Sequence, residues 1–120
     1  MSDTEHAAGL ADARAVIAAD GADRLVRRPW VRSGQPHADL DLVRYVAWRT
    51  GESPELRADA SVVEAGLALL GSAREELDQI EAGLVFAARA DGMTWQAIGQ
   101  AMGLGSAQAA QQRAVRRGGR

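Results

Sequence analysis

The sequence contains no cysteine and no lysine, and only five of its 120 residues are aromatic. Without cysteine, neither a disulfide framework nor a thiolate-ligated metal site can form. All fourteen basic residues are arginine, a bias that suits bidentate contacts to phosphate and guanine but that a GC-rich genome also produces. Because aromatic and β-branched residues are scarce and alanine is abundant, the composition favours helices over sheets.

Long apolar runs are also missing. No run is long enough to cross a bilayer, and Asp3 and Glu5 occupy the region in which a secretory signal peptide carries basic residues. We therefore expect a soluble cytoplasmic protein that has no membrane partner. A chain of 120 residues has the length of one compact domain and is too short for two independent ones.

The residues that enzymes need do not form a catalytic pattern. His6 and His37 lack the His-Glu-x-x-His spacing of zinc hydrolases, and there is no glycine-rich loop of the phosphate-binding type. Four closely spaced carboxylates are better explained as the solvated face of a helix than as an acid–base pair: Glu75, Glu76, Asp78 and Glu81. We therefore expect no catalytic activity, no cofactor and no bound metal.

Acidic residues are absent after Asp91, although the whole chain has a formal net charge of -2. The same segment contains four arginines, at positions 113, 116, 117 and 120. Charges of opposite sign are therefore separated along the chain, and the carboxyl-terminal segment is cationic. A cationic segment without carboxylates is suited to a polyphosphate partner such as nucleic acid.

The cationic segment has the start and stop signals of two short helices joined by a turn. Thr94 is a suitable cap for a first helix, with Met93 and Ile98 placed as a hydrophobic staple. Gly103 can adopt the left-handed conformation that ends this helix, and Ser106 can cap the next one. The sequence thus predicts a helix-turn-helix over residues 92–120.

The second helix of this pair has two different faces. Three small residues fall on one side and suit close helix packing: Ala107, Ala110 and Ala114. Gln108, Gln112 and Arg116 project from the other side, where Gln can pair with adenine and Arg with guanine in the major groove. The predicted DNA-binding set is Thr94, Gln96, Ser106, Gln108, Gln111, Gln112, Arg113, Arg116 and Arg117, with Thr94, Arg113 and Arg117 assigned to phosphates. The alternative is a solvated polar surface on an ordinary helical hairpin.

Residues 82–117 also resemble a known family. The matching positions are Ala88-Arg89, Gly92, Thr94-Trp95, Ile98, Met102-Gly103 and the run from Ser106 to Arg113. This pattern is similar to that of small actinobacterial helix-turn-helix regulators, and it has a looser likeness to region 4 of sigma factors. The resemblance implies sequence-specific binding of double-stranded DNA, transcriptional control and association with the nucleoid. Ala107 departs from the arginine that often follows the capping serine in such proteins.

A second basic segment lies in the amino-terminal half, between residues 27 and 36. Two prolines and a glycine within ten residues predict a loop there. One interpretation is a basic arm for DNA, formed by Arg27, Arg28, Trp30 and Arg32. The other is an irregular connector that Trp30 pins to the core, and we favour the connector because a lone Trp in a loop more often packs than contacts bases.

Helical patterns flank this loop. The first extends from about Thr4 to Val26, with a weak point at Gly21. The second begins at Asp39, a plausible cap, and ends at Gly51, and its broad apolar surface places it in the core. Ser53-Pro54-Glu55 predicts a further short helical turn.

The longest predicted helix covers residues 61–91. Ser61 and Glu64 have the spacing of a capping box, and a second such box after Gly71 favours a break there. A heptad seam nevertheless continues in phase through that point, which favours one continuous helix. The seam consists of Val63, Gly66, Leu70, Ala73, Leu77, Ile80, Leu84 and Ala87. Earlier helices of the same chain are the more common cover for such a seam, and a second copy of the chain is the alternative.

Together these patterns predict an all-α bundle of about five helices, with a long central helix and a carboxyl-terminal helix-turn-helix. The segments are the amino-terminal helices and basic loop at 1–60, the long helix at 61–91 and the helix-turn-helix at 92–120. The expected function is a homodimeric, DNA-binding transcriptional regulator. The alternative is a protein-interaction module that docks onto a regulator or an RNA polymerase subunit without contacting bases.

Overall fold

A computed structural model of the chain describes residues 2–52, 54–56 and 59–118, and for residues 56, 117 and 118 it describes the backbone alone. Within these residues the fold is all-α, as predicted, and contains no strand. The α-helices are α1 (Asp3–Asp20), α2 (Asp39–Thr50), α3 (Ala60–Ala90), α4 (Trp95–Ala101) and α5 (Ala107–Gly118). Two single turns of 3-10 helix lie at Ala22–Arg24 and Pro54–Leu56. No helix in the described ranges is both long and apolar enough to span a membrane.

The chain divides into two compact units, Met1–Glu76 and Leu77–Arg120, and the boundary falls within α3. The first unit contains thirteen acidic residues and nine arginines, whereas the second contains three acidic residues and five arginines. The separation of charge along the sequence therefore coincides with the division of the fold. The second unit has the net positive charge.

The core of the first unit is built from α1, α2 and the first half of α3. Ile17 and Leu69 are completely buried at its centre, together with Leu42 and Val46 of α2. Helices α2 and α3 approach closely where Gly66 meets Val46, since a Cβ atom on Gly66 would lie 2.8 Å from the nearest Val46 methyl carbon. The prediction that α2 is central to the core is confirmed.

Two carboxylates connect the helices of this unit. Asp39 accepts two hydrogen bonds from Arg14, at 2.7 and 2.9 Å, and a third from the Ser72 hydroxyl. Its predicted role as the cap of α2 is therefore wrong. It lies at the first helical position, Ala38 precedes it without a side-chain cap, and its carboxylate points to α1 and α3 instead.

The second carboxylate belongs to Asp20, the last residue of α1. It accepts hydrogen bonds from the Tyr45 hydroxyl at 2.7 Å and the Arg49 guanidinium at 2.9 Å. These donors hold the pKa of Asp20 below its usual range. The chain then turns through Gly21, whose φ of 142° is strained for other residues, so the predicted weak point is the actual end of α1.

Helix α3 is continuous across Gly71, as the heptad phase predicted. Its predicted capping box is wrong, because the helix begins one residue earlier and Asp59 supplies the cap. The Asp59 carboxylate accepts from the Val62 amide at 3.2 Å and from the Ser61 hydroxyl at 2.6 Å. The second box has no capping role either, since Ser72 lies inside the helix and donates to Asp39.

The seam of α3 is covered only along its first half. Of the predicted seam there, Gly66 and Ala73 are buried and Val63 and Leu70 are half-buried, and the rest of the buried face is Val62, Ala65 and Leu69. In the second unit the seam is open, and the exposed fractions of Leu77, Ile80 and Leu84 are 54%, 46% and 66%. The expectation of cover from the same chain therefore holds for the first half of the helix and is wrong for the second.

Candidate nucleic-acid interface

The chain turns between α3 and α4, and this turn is held by a backbone hydrogen bond and by the side chain of Arg89. Gly92 has a φ of 88°, and the Met93 amide donates to the Ala88 carbonyl at 3.0 Å. Arg89 donates to the Met93 carbonyl at 2.8 Å, and its guanidinium carbon lies 5.0 Å from the centre of the Trp95 ring. A cation over an indole face is favourable. Arg89 thus connects the end of α3 to the first residue of α4.

Both short helices have the caps that the sequence predicted. The Thr94 hydroxyl oxygen accepts from the Ala97 amide at 3.0 Å, and the Ser106 hydroxyl oxygen accepts from the Ala109 amide at 3.1 Å. Gly103 has a φ of 73°, as predicted for a residue that ends a helix. The Leu104 amide then donates to the Gly99 carbonyl at 2.7 Å and closes the turn.

Gly99 sets the distance between α4 and the turn. A Cβ atom there would lie 2.8 Å from the Ser106 carbonyl oxygen and 3.5 Å from the Ala110 methyl group. The oxygen belongs to backbone that cannot move aside without shifting the start of α5. We did not predict this role, although a glycine one residue after the buried Ile98 is the signal that indicates it.

Helix α5 has the two faces that its sequence predicted. Ala110 is buried, and Ala107 and Ala114 are half-buried. On the opposite side, five side chains line one shallow depression: Gln108, Gln111, Gln112, Val115 and Arg116. All five are exposed. The predicted base-contacting residues thus lie on one solvent-facing surface, the polar face of α5.

Arg113 does not belong to this polar face. It is half-buried, and its guanidinium donates to both carboxylate oxygens of Glu81 in α3, at 3.1 Å from Nε and 2.8 Å from Nη2. This pairing raises the pKa of Arg113 above its usual value. The contact was not predicted, since positions 81 and 113 are far apart in sequence. The side chain of Arg117 lies outside the described residues.

Three further residues of the predicted DNA-binding set lie at the starts of the two short helices. Gln96 is exposed in the first turn of α4, and Thr94 and Ser106 are exposed caps. Each capping oxygen accepts an amide hydrogen, so each hydroxyl hydrogen is still available to a phosphate oxygen. Capping and phosphate contact are therefore compatible at these two positions.

The basic loop lies in the first unit, and all four of its predicted residues are exposed: Arg27, Arg28, Trp30 and Arg32. Trp30 is 71% exposed, so the expectation that it pins the loop to the core is wrong. The loop is instead held by its own backbone and by Arg27, which donates to the Gln35 carbonyl. The polar face of α5 and this loop belong to different units.

An apolar groove lies beside α4 in the second unit. It has a volume of about 400 Å³ and is bounded by the second half of α3 and by α4. Its walls include the open seam residues together with Val85, Met93, Ile98 and Met102. Met93 and Ile98, which were predicted to form a hydrophobic staple, both line it.

No protein-family model, no curated protein and no solved structure matches this chain. Among the described residues, no group of three or more His, Cys, Asp or Glu side chains is arranged to hold a metal ion.

Proposed function

We propose that this protein is a sequence-specific DNA-binding transcriptional regulator in which α4, the turn and α5 act as a helix-turn-helix. One observation carries the proposal. Helix α5 buries a face of alanines and presents glutamines and an arginine, without a carboxylate, on the opposite face. A recognition helix needs this division, because one side must pack closely while the other enters a groove lined by phosphates.

The side chains on the polar face suit the edges of base pairs. Gln108 and Gln112 each offer a donor and an acceptor to adenine, and Arg116 offers two donors to guanine. Val115 is exposed among them and can contact a thymine methyl group. Thr94, Ser106 and Arg117 are assigned to phosphates, which position the helix without reading sequence.

Arg113 has a different place in this proposal from the one its sequence position suggested. Its two-pronged contact with Glu81 holds α5 against α3 and pairs that carboxylate with a positive charge of the same unit. The protein-interaction alternative does not require an acid-free face on α5, whereas a polyphosphate does.

We further propose that the regulator acts as a homodimer through the open seam of α3. Leucine and isoleucine side chains at heptad spacing with about half or more of their surface in water form an unusual patch for a monomer. A second copy would cover them by the coiled-coil packing that the heptad predicts. Two-fold pairing also suits DNA recognition, since a dimer spans two half-sites about one helical turn apart.

Selection from a random duplex library tests the DNA proposal. We expect the wild-type protein to enrich one motif, and the Gln108→Ala/Gln112→Ala double variant to enrich a weaker or different one. Leu67→Ala is a matched control, because it removes an exposed side chain from the first unit. A folded wild-type protein that enriches no motif would contradict sequence-specific binding.

Light scattering tests the dimer. Leu84→Glu places a charge in the open seam and should convert the dimer into a folded monomer, because a buried unpaired carboxylate is costly. Leu67→Glu adds the same charge to an exposed leucine outside the second unit and should leave the dimer intact. A wild-type protein that is monomeric at tens of micromolar, alone and on DNA, would refute the dimer.

A further inference from the structure

A concavity with apolar and charged walls lies in the first unit, far along the sequence from the candidate DNA interface. It is formed by the chain that follows α1, the residue His37 and one side of α2, and its volume is about 500 Å³. Sites for small molecules in proteins are about 300–1,000 Å³ and combine apolar walls with a few polar groups. The cavity meets both conditions.

Its apolar walls include two aromatic rings. The ring centres of Tyr45 and Trp48 lie 5.8 Å apart with a tilt of 49°. Leu25 and Val26 also line it, and both are exposed, as is Trp48 at 60%. The hydroxyl of Tyr45 is held by Asp20, which fixes its ring in place. This part of the cavity offers an aromatic and apolar surface to a flat apolar group.

One polar side chain in the cavity, that of His37, has no hydrogen-bond partner among the described residues. His37 is only 7% exposed, and within the described part of the chain its imidazole makes no hydrogen bond. Buried polar side chains nearly always have a partner in the protein, in ordered water or in a ligand. The imidazole therefore marks a point in the cavity where a polar atom from outside the chain belongs.

Two arginines at the same cavity form no ion pair within the part of the chain that the structure describes. Arg28 and Arg44 line it, and neither has an acidic partner among the residues that the structure describes. Asp41 is the one carboxylate among the described residues of the lining, so the three charged groups together leave a net positive charge. Arginine is suited to carboxylates because its planar donors match the two oxygens.

We infer that this cavity binds a small organic acid that has an aromatic body and one carboxylate. Arg28 and Arg44 receive the carboxylate, Tyr45 and Trp48 contact the aromatic body, and His37 hydrogen-bonds a polar atom of the ligand. Asp41 favours a ligand that also has a donor, such as a ring N–H or a hydroxyl. The site is independent of the DNA-binding proposal, since none of its residues belongs to the second unit.

Isothermal titration calorimetry tests the site with a panel of aromatic acids, which includes phenylacetate, 4-hydroxybenzoate and indole-3-carboxylate. We expect at least one acid to bind with a Kd below about 1 mM. Its matched neutral amide should bind at least about 10-fold more weakly, because the arginines lose a charged acceptor. Acetate, which has the carboxylate but no ring, should not bind detectably.

Two variants assign the binding to this cavity. Arg44→Gln, at an exposed position without an ion pair among described residues, should weaken the best acid by about 10-fold. Arg74→Gln removes an exposed arginine of the same unit that does not line the cavity and should leave the affinity unchanged. Circular dichroism confirms that both variants are folded. The inference is overturned if no acid of the panel binds, if acid and amide bind equally, or if Arg44→Gln has no effect.

Discussion

Arg113 of α5 and Glu81 of α3 form a two-pronged ion pair, in which Nη2 and one carboxylate oxygen are 2.8 Å apart. The pair ties the proposed recognition helix to the long helix on the side away from its polar face. Arg113 therefore supports the unit, whereas Arg116 is exposed on the polar face of α5.

Loss of this pair should lower stability without changing the polar face of α5. Arg113→Ala leaves Glu81 half-buried without this donor, so we expect a melting temperature a few degrees below that of the wild type. Arg116→Ala removes an exposed arginine from the polar face and should leave the melting temperature unchanged. Thermal unfolding followed by circular dichroism compares the two. Equal melting temperatures would mean that the pair contributes nothing.

Close packing at Gly99 should make that position intolerant of a side chain. Gly99→Ala forces a methyl group against the Ser106 carbonyl oxygen and should reduce the free energy of unfolding by about 1–3 kcal/mol. Gly83→Ala is the matched control, since nothing lies within 4 Å of its Cβ position. That control should be stabilising by about 0.5–1 kcal/mol, because alanine favours a helix interior over glycine. Urea denaturation measures both, and a neutral or stabilising Gly99→Ala would contradict the packing.

Two internal carboxylates should make the protein sensitive to acid. Burial raises the pKa of Asp39, but the hydrogen bonds from Arg14 and Ser72 outweigh it and the net shift is downward. Hydrogen bonds from Arg49 and Tyr45 likewise lower the pKa of Asp20. A lowered pKa contributes stability that is complete above the unfolded value, near pH 4, and is lost as the pH falls through the folded value.

The corresponding measurement is the urea midpoint between pH 6 and pH 2. We expect it to fall below about pH 4, and to fall less steeply in Asp39→Asn, which removes one of the two groups. Asp12→Asn changes an exposed residue of α1 and should follow the wild-type curve. An Asp39→Asn curve parallel to the wild type would show that Asp39 does not contribute to the acid transition.

Substitutions of base-contacting and phosphate-contacting residues should differ in kind. Gln112→Ala should reduce discrimination between operator variants by about 1–3 kcal/mol, because it removes a proposed contact to base edges. Arg117→Ala should weaken binding to all sequences similarly and lower the salt slope by about one. Competition binding separates the two effects. Equal losses that do not depend on sequence would show that the polar face of α5 is wrongly assigned.

Local signals in the sequence were sufficient for the helices of the second unit. Thr94, Gly103 and Ser106 act within three or four residues of their own position, so their roles follow from spacing alone. The same holds for the end of α1 at Gly21. The alternation of alanines and glutamines likewise predicted which face of α5 is buried, because helical periodicity converts spacing into direction.

Contacts between distant positions were not predictable in this way. Asp39 looks like a helix cap until Arg14 and Ser72, 25 and 33 residues away, are found beside it. Glu81 looks like part of a solvated acidic face, yet it meets Arg113. The heptad pattern of α3 continues in one phase along the whole helix. The structure shows that the burial of its apolar residues ends near the boundary between the units.

We propose that the second unit binds duplex DNA through charge and through the polar face of α5. Fluorescence anisotropy of a labelled duplex across a salt series measures this binding. Contacts with about four to eight phosphates per dimer predict a plot of log affinity against log salt with a slope of about -4 to -7. A folded protein that binds no duplex at low salt, or whose affinity does not change with salt, would contradict the claim.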